Sequence, residues 1–112
     1  MAGTLGELEQ LLLMALLRRG GQASGVELRE ELHDRTGRVA LPGAVYTIME
    51  RMRERGLVTS FTGEATPARG GRRRKYYRIA PAGEEALARS YRQIERMVEG
   101  ISDRLHRALG DG

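Results

Sequence analysis

The chemistry this chain can do is concentrated in one stretch, Arg69-Gly-Gly-Arg-Arg-Arg-Lys-Tyr-Tyr-Arg78, which carries six positive charges and no acid. Without those six, the remaining 13 Lys and Arg face 15 Asp and Glu, so the net charge of +4 comes from a placed patch on a slightly acidic protein. Guanidinium groups beside paired tyrosines suit an anionic partner with a groove, and nucleic acid fits that description first. A solvated basic loop is the plain alternative, and the neighbouring elements decide between the two.

Other chemistries find little support. No nucleophile–base pair, phosphate-binding loop or cofactor signature is present, so the chain does not read as an enzyme. The 112 residues include no cysteine, and the two histidines, His33 and His106, lie far apart. No metal site is expected, and thiol-free composition fits a reducing, cytoplasmic setting. The longest apolar run, Leu11 to Leu17, is far short of the ~20 residues that span a bilayer. It reads as a core helix with no membrane partner.

The elements that would position the basic run follow from caps and periodicity. Thr4 and Glu7 have capping-box spacing, which predicts a first helix from about Leu5 to Arg19, stopped by Gly20-Gly21. Because Leu11–Leu17 is apolar nearly all round, this helix should be buried on several sides, with Leu12 and Leu16 expected to face a second subunit. Ser24 and Glu27 form a second capping box, with helix two running to about Arg35, Gly37 at its end, and Val26, Leu28 and Leu32 as apolar contacts. Pro42 suits a helix start, and helix three should run to Arg55 and stop at Gly56. Its Val45, Ile48, Met49 and Met52 make one core stripe, which turns Gly43, Tyr46, Thr47, Glu50, Arg51 and Glu54 outward or to the flank. A glycine at the helix start lets a phosphate approach free backbone N–H groups. Glu50 either accepts from a cytosine amine, points at solvent, or pairs with a neighbour such as Arg53.

Residues 57–61 and 74–79 alternate as two short strands, with Tyr77 and Ile79 on one face and Tyr76 and Arg78 on the other. The Gly-, Pro- and Arg-rich stretch 62–73 joins them as a hairpin loop. From Pro81 onward Leu87, Tyr91, Ile94, Val98, Ile101, Leu105 and Ala108 are spaced 4, 3, 4, 3, 4, 3, a heptad seam. One helix from Pro81 to Leu109 would be roughly 43 Å long at 1.5 Å per residue. The small domain cannot cover that length, so the seam should meet another copy. The fold class expected is mainly α with a small β-hairpin: a winged helix-turn-helix over residues 1–80, then a dimerisation helix over 81–112.

With this order in place the chain resembles the PadR family of bacterial transcriptional regulators, in its shorter branch with a single C-terminal helix. Leu5-Gly-Glu-Leu-Glu-Gln-Leu11 is similar to that family's first helix, and Gly43-Ala-Val-Tyr-Thr47 with Arg55-Gly-Leu-Val58 to its recognition helix and exit. Gly63 to Gly71, Lys75-Tyr-Tyr-Arg78 and Ala80-Pro-Ala-Gly83 resemble its wing and the start of its last helix, so the likeness covers about residues 5–90. The resemblance implies a homodimeric repressor on a pseudo-palindromic, double-stranded operator. On that analogy Gly43, Ala44, Tyr46, Thr47 and Arg51 face DNA from the recognition helix. Arg72, Arg73, Arg74 and Lys75 do so from the wing, with Arg69 at the head of the same basic run. The first and last helices would build the dimer, through Leu12, Leu16, Leu87, Tyr91, Ile94, Val98, Ile101 and Leu105.

Three residues depart from the family's pattern. Ser24 stands where many members have tyrosine, and Leu41 and Ala44 where many have Ser or Thr. The chain has no Trp, so sensing of flat ligands by tryptophan stacking is not supported. If an effector of unknown identity exists, Met14, Tyr91 and Met97 are expected to line its apolar gap. The reading from a different class is a protein-interaction adaptor, docking a partner through the seam and acidic protein through the wing.

Overall fold

The computed structural model describes residues 4–64 and 73–110. Its elements are α1 (Glu7–Arg18), β1 (Gln22–Ser24), α2 (Gly25–Thr36), α3 (Pro42–Glu54), β2 (Val58–Thr62), β3 (Lys75–Ile79), α4 (Pro81–Val98) and α5 (Ser102–Ala108). The protein is mainly helical with a small antiparallel sheet, a winged helix-turn-helix.

The sheet has three strands in the order β1-β3-β2, where the alternation pattern predicts a two-stranded hairpin. The additional strand arises at Gly20 and Gly21, whose φ values of 81° and 99° swing the chain alongside β3. The Ile79 N–H donates to the Gly21 carbonyl at 2.9 Å, and Ala23 then pairs with Tyr77. On the other side Ser60 lies opposite Tyr77 and Phe61 opposite Tyr76. Tyr77 is buried and Ile79 half-buried on the core face, as their alternation requires.

Helix α1 starts two residues later than the Thr4–Glu7 spacing predicts. Glu9 accepts from the Gly6 N–H at 2.7 Å, so the carboxylate at the third helical position ties down the amide before the helix. Leu12, Leu13 and Leu16 are completely buried within the protomer, enclosed by α2, α3, α4 and the sheet. That corrects the expectation for Leu12 and Leu16. A side chain with no surface in its own subunit cannot contact a second one, and the apolar faces of α1 are satisfied from inside. Helix α2 keeps its capping box: Ser24 Oγ accepts from the Glu27 N–H at 3.2 Å and Glu27 Oε1 from the Ser24 N–H at 2.9 Å. Leu28 and Leu32 enter the core, whereas Val26 is 47% exposed and does not.

Helix α3 closes with Gly56 at φ 77°, and the Leu57 N–H reaches back to the Met52 carbonyl at 2.9 Å, a left-handed C-terminal closure. Val45, Met49 and Met52 are buried and Ile48 packs partly against them. The core runs on to Ala86 and Leu87, so the first turns of α4 seal it. The seam does not lie on one helix. Glu99 caps α4 and Gly100, at φ 86°, turns the chain before α5 starts. The single helix expected from Pro81 to Leu109 is therefore two, because a left-handed residue cannot continue a right-handed helix.

Candidate nucleic-acid interface

Helix α3 presents its N-terminal half outward. Gly43, Ala44, Tyr46, Thr47 and Arg51 are all exposed, as the core stripe requires. The end itself is open. Its cap residue, Leu41, makes no side-chain hydrogen bond, Pro42 has no N–H, and the first turn holds no acid. Among the described helices only α3 lacks both a cap bond and a first-turn carboxylate. The amides of Gly43 and Ala44 precede the first helical bond, from the Val45 N–H to the Leu41 carbonyl at 3.1 Å. An added Cβ at Gly43 would meet nothing within 4 Å, so an anion can reach these amides unhindered. The turn leading in is fixed by Arg29, whose Nε donates to the Ala40 carbonyl at 2.8 Å.

Strand β3 brings positive charge to the same face. Arg73 is exposed and Arg74 and Lys75 are half-buried; Arg69 and Arg72 lie outside the described residues. Arg74 and Lys75, with Gly25, Val26, Pro42 and Tyr46, wall a cleft of about 250 Å³ between the starts of α2 and α3 and the wing strand. Lys75 Nζ lies 5.3 Å from the Tyr46 ring centroid and 2.7 Å from Glu50 Oε2. Glu50 also accepts from Tyr77 Oη at 3.0 Å and from Arg53 Nε at 3.0 Å. These donors, Lys75 foremost, hold the Glu50 carboxyl below its ordinary range against the opposing effect of burial. Of the alternatives for Glu50, pairing with its neighbours is the one found. Arg51 makes no ion pair among the described residues and is free to reach outward.

A model of the Transcriptional regulator PadR-like family matches residues 12–89. The chain belongs to that family. Its fold is similar to that of a PadR family transcription regulator from Clostridium difficile, at 22% identity and a TM-score of 0.73 over 89% of this chain and 99% of that one. A PadR family transcriptional regulator from Eggerthella lenta is 27% identical, with a TM-score of 0.68 over 88% and 86% of the two chains. Bacillus subtilis PadR, solved in complex with operator DNA, is 20% identical with a TM-score of 0.64, over 75% of this chain and 47% of that one. No curated protein sequence matches the chain.

For this PadR-like chain, sequence reasoning misses part of the outer wing face. Phe61 stacks on Tyr76 with ring centroids 5.3 Å apart, and Arg78 lies 4.9 Å over the Phe61 ring. Arg78 also donates to Gln22 Oε1 on β1, from Nε at 3.2 Å. Arg78 thus braces the three strands, and only the strand register, set by β1, reveals it. Gly63 makes room for the stack, since a Cβ there would lie 2.6 Å from the Tyr76 ring.

The seam residues divide in two. Leu87 is 6% exposed and sits mainly in the protomer's own core. Tyr91, Ile94, Ile101 and Leu105 are each about half exposed, and Val98 is partly so. With Met97 at 77% they form an uncovered apolar stripe across the Gly100 joint. Met14 lines a cleft of about 480 Å³ between α1 and α2 whose walls do not include Tyr91 or Met97. Among the described residues no helix is long and apolar enough to cross a membrane, and no group of three or more His, Cys, Asp or Glu is placed to hold a metal ion.

Proposed function

We propose that this PadR-family regulator is a cytoplasmic homodimeric repressor that binds an inverted-repeat operator. The observation that carries the reading is the open N-terminus of α3 beside Arg74, which leads into β3, on one face of the fold. In this reading the amides of Gly43 and Ala44 take a backbone phosphate and so fix α3 in the major groove. Thr47 and Arg51 then reach base edges, Arg51 being suited to the two acceptors of guanine. Arg73 and Arg74, with Arg69 and Arg72 of the same run, supply phosphate affinity that is largely independent of sequence.

The exposed stripe Tyr91, Ile94, Val98, Ile101 and Leu105 supports a second copy as the partner. Two-fold assembly places equivalent α3 helices about 34 Å apart or a multiple of it, which matches a palindromic site. The test is a binding titration of an operator, selected from random duplexes, over a range of salt concentrations. Arg73→Ala with Arg74→Ala is expected to weaken binding to all duplexes and to reduce the salt slope by about 0.9 for each phosphate no longer neutralised. Unchanged affinity and slope would refute the wing assignment, and failure to select any duplex would refute the function.

A further inference from the structure

The basic run invites the assumption that all its cations serve DNA, and the structure treats Lys75 differently. Its ammonium is already committed, 2.7 Å from Glu50 Oε2 and within 6 Å of two tyrosine rings, at 5.3 Å from Tyr46 and 5.7 Å from Tyr77. Among the described residues Glu50 is the one carboxylate that joins the recognition helix to the wing strand at this point. Its Oε1 takes Arg53, and its Oε2 takes Lys75 and the hydroxyl of buried Tyr77. The Glu50 side chain is 18% exposed, so these three donors, more than water, satisfy its carboxylate.

A DNA phosphate arriving at Lys75 would have to displace Glu50 or sit beside its negative charge. The first leaves the Glu50 carboxylate short of its closest donor, and the second is repulsive. Phosphates are thus turned away from this point of the face, while Arg73 and the α3 amides remain open to them.

Resting on the DNA-binding reading above, we infer that Glu50 is an internal counter-anion and positioning residue. It locks the wing to α3 through Lys75 and Tyr77 and withholds Lys75 from DNA phosphates. The lock fixes the angle between the two reading elements, and the withheld charge lowers affinity for DNA in the wrong register. Glu50 and Lys75 therefore set discrimination and leave general affinity to the arginines.

The test compares wild type, Glu50→Gln, Lys75→Gln and the double variant on the selected operator and on a random duplex, each over a range of KCl. Lys75→Gln alone is expected to leave the salt slope unchanged on both duplexes. Glu50→Gln keeps an acceptor for Tyr77 but frees Lys75. Its slope should rise by about 0.9 and its random-duplex affinity about eightfold at 0.1 M salt, the value of one neutralised phosphate. The operator-to-random ratio should narrow accordingly, and the double variant should return to the wild-type slope. A purely structural role for Glu50 would lower thermal stability without moving the slope. The inference is overturned if Lys75→Gln lowers the slope by about one, or if folded Glu50→Gln leaves slope and ratio as in wild type. Should Glu50→Gln not fold, the Lys75→Gln slope decides alone. Wild-type protein that binds neither duplex overturns the DNA reading itself, and this inference with it, a result no variant can imitate.

Discussion

Gly83 lies in the first turn of α4, buried against the end of α3's exit turn. A Cβ built there would stand 2.1 Å from the Leu57 carbonyl oxygen, 3.0 Å from its carbon and 3.3 Å from Ile79 Cγ1. A comfortable carbon–oxygen contact is about 3.3 Å, so Gly83→Ala must push α4 and Leu57 apart by roughly 1.2 Å. The same carbonyl accepts the N–H of Ala80, the residue that caps α4, at 3.0 Å, so retreat also stretches that bond. Overpacking of this kind costs about 1–3 kcal/mol and a weakened buried hydrogen bond about 1 kcal/mol more. Alanine's better helix propensity returns at most about 1 kcal/mol, and less in a first turn. The net expectation is a loss of about 2–3 kcal/mol, or roughly 10–15 °C in melting temperature for a domain of this size. Thermal and urea unfolding at one fixed protein concentration measure it. Gly100→Ala is the control. Its φ of 86° strains any side chain, but nothing lies within 4 Å and α5 buries no residue, so the cost should stay local and the main transition should barely move. A Gly83→Ala protein as stable as wild type would refute the packing argument.

Ile94→Glu with Ile101→Glu is expected to convert a dimer to a monomer in sedimentation velocity while leaving the monomer fold intact, because both side chains are already about half exposed; a dimer that persists would place the interface elsewhere. Acid should destabilise the fold through Glu27, Glu31 and Glu50, whose carboxyls are held below the ordinary range chiefly by the Ser24 N–H, Arg19 and Lys75 respectively. Folded-state values below the unfolded ones mean stability that is complete above about pH 4.5 and is lost as pH falls through the depressed values. A urea midpoint that stays flat down to pH 3 would contradict those contacts.

Sequence marks α2 and α3 well because their boundaries are written in local chemistry: Ser24 with Glu27, Gly37, Pro42 and Gly56 act within a turn of where they stand. The exposed face of α3 follows from its core stripe by the same logic. Strand β1 has no such signature, since Gln22-Ala-Ser is a strand only because Gly20 and Gly21 lay it beside β3. The heptad spacing of Ile94, Val98, Ile101 and Leu105 masks a break, because side-chain periodicity can continue across a glycine whose backbone does not. Leu12 and Leu16 mislead for another reason. An all-apolar helix says that every side is covered, but not by which chain. Glu50 is the subtlest case, for its neighbour Arg53 is visible three residues on, whereas Lys75 and Tyr77 become neighbours only through the fold. Leu41 and the acid-free first turn of α3, by contrast, are a legible signal of an open helix end.

The enclosure of α1 has a temporal side. During synthesis its leucines emerge early, while the residues that seal the core, Ala86 and Leu87, follow roughly seventy residues later, several seconds at about 5–20 residues per second. Until then the most apolar helix of the protein has no lid and is open to nonspecific association or chaperone capture. The winged fold therefore cannot be completed ahead of the helix that follows it, and a chain halted before Leu87 is expected to be unstable.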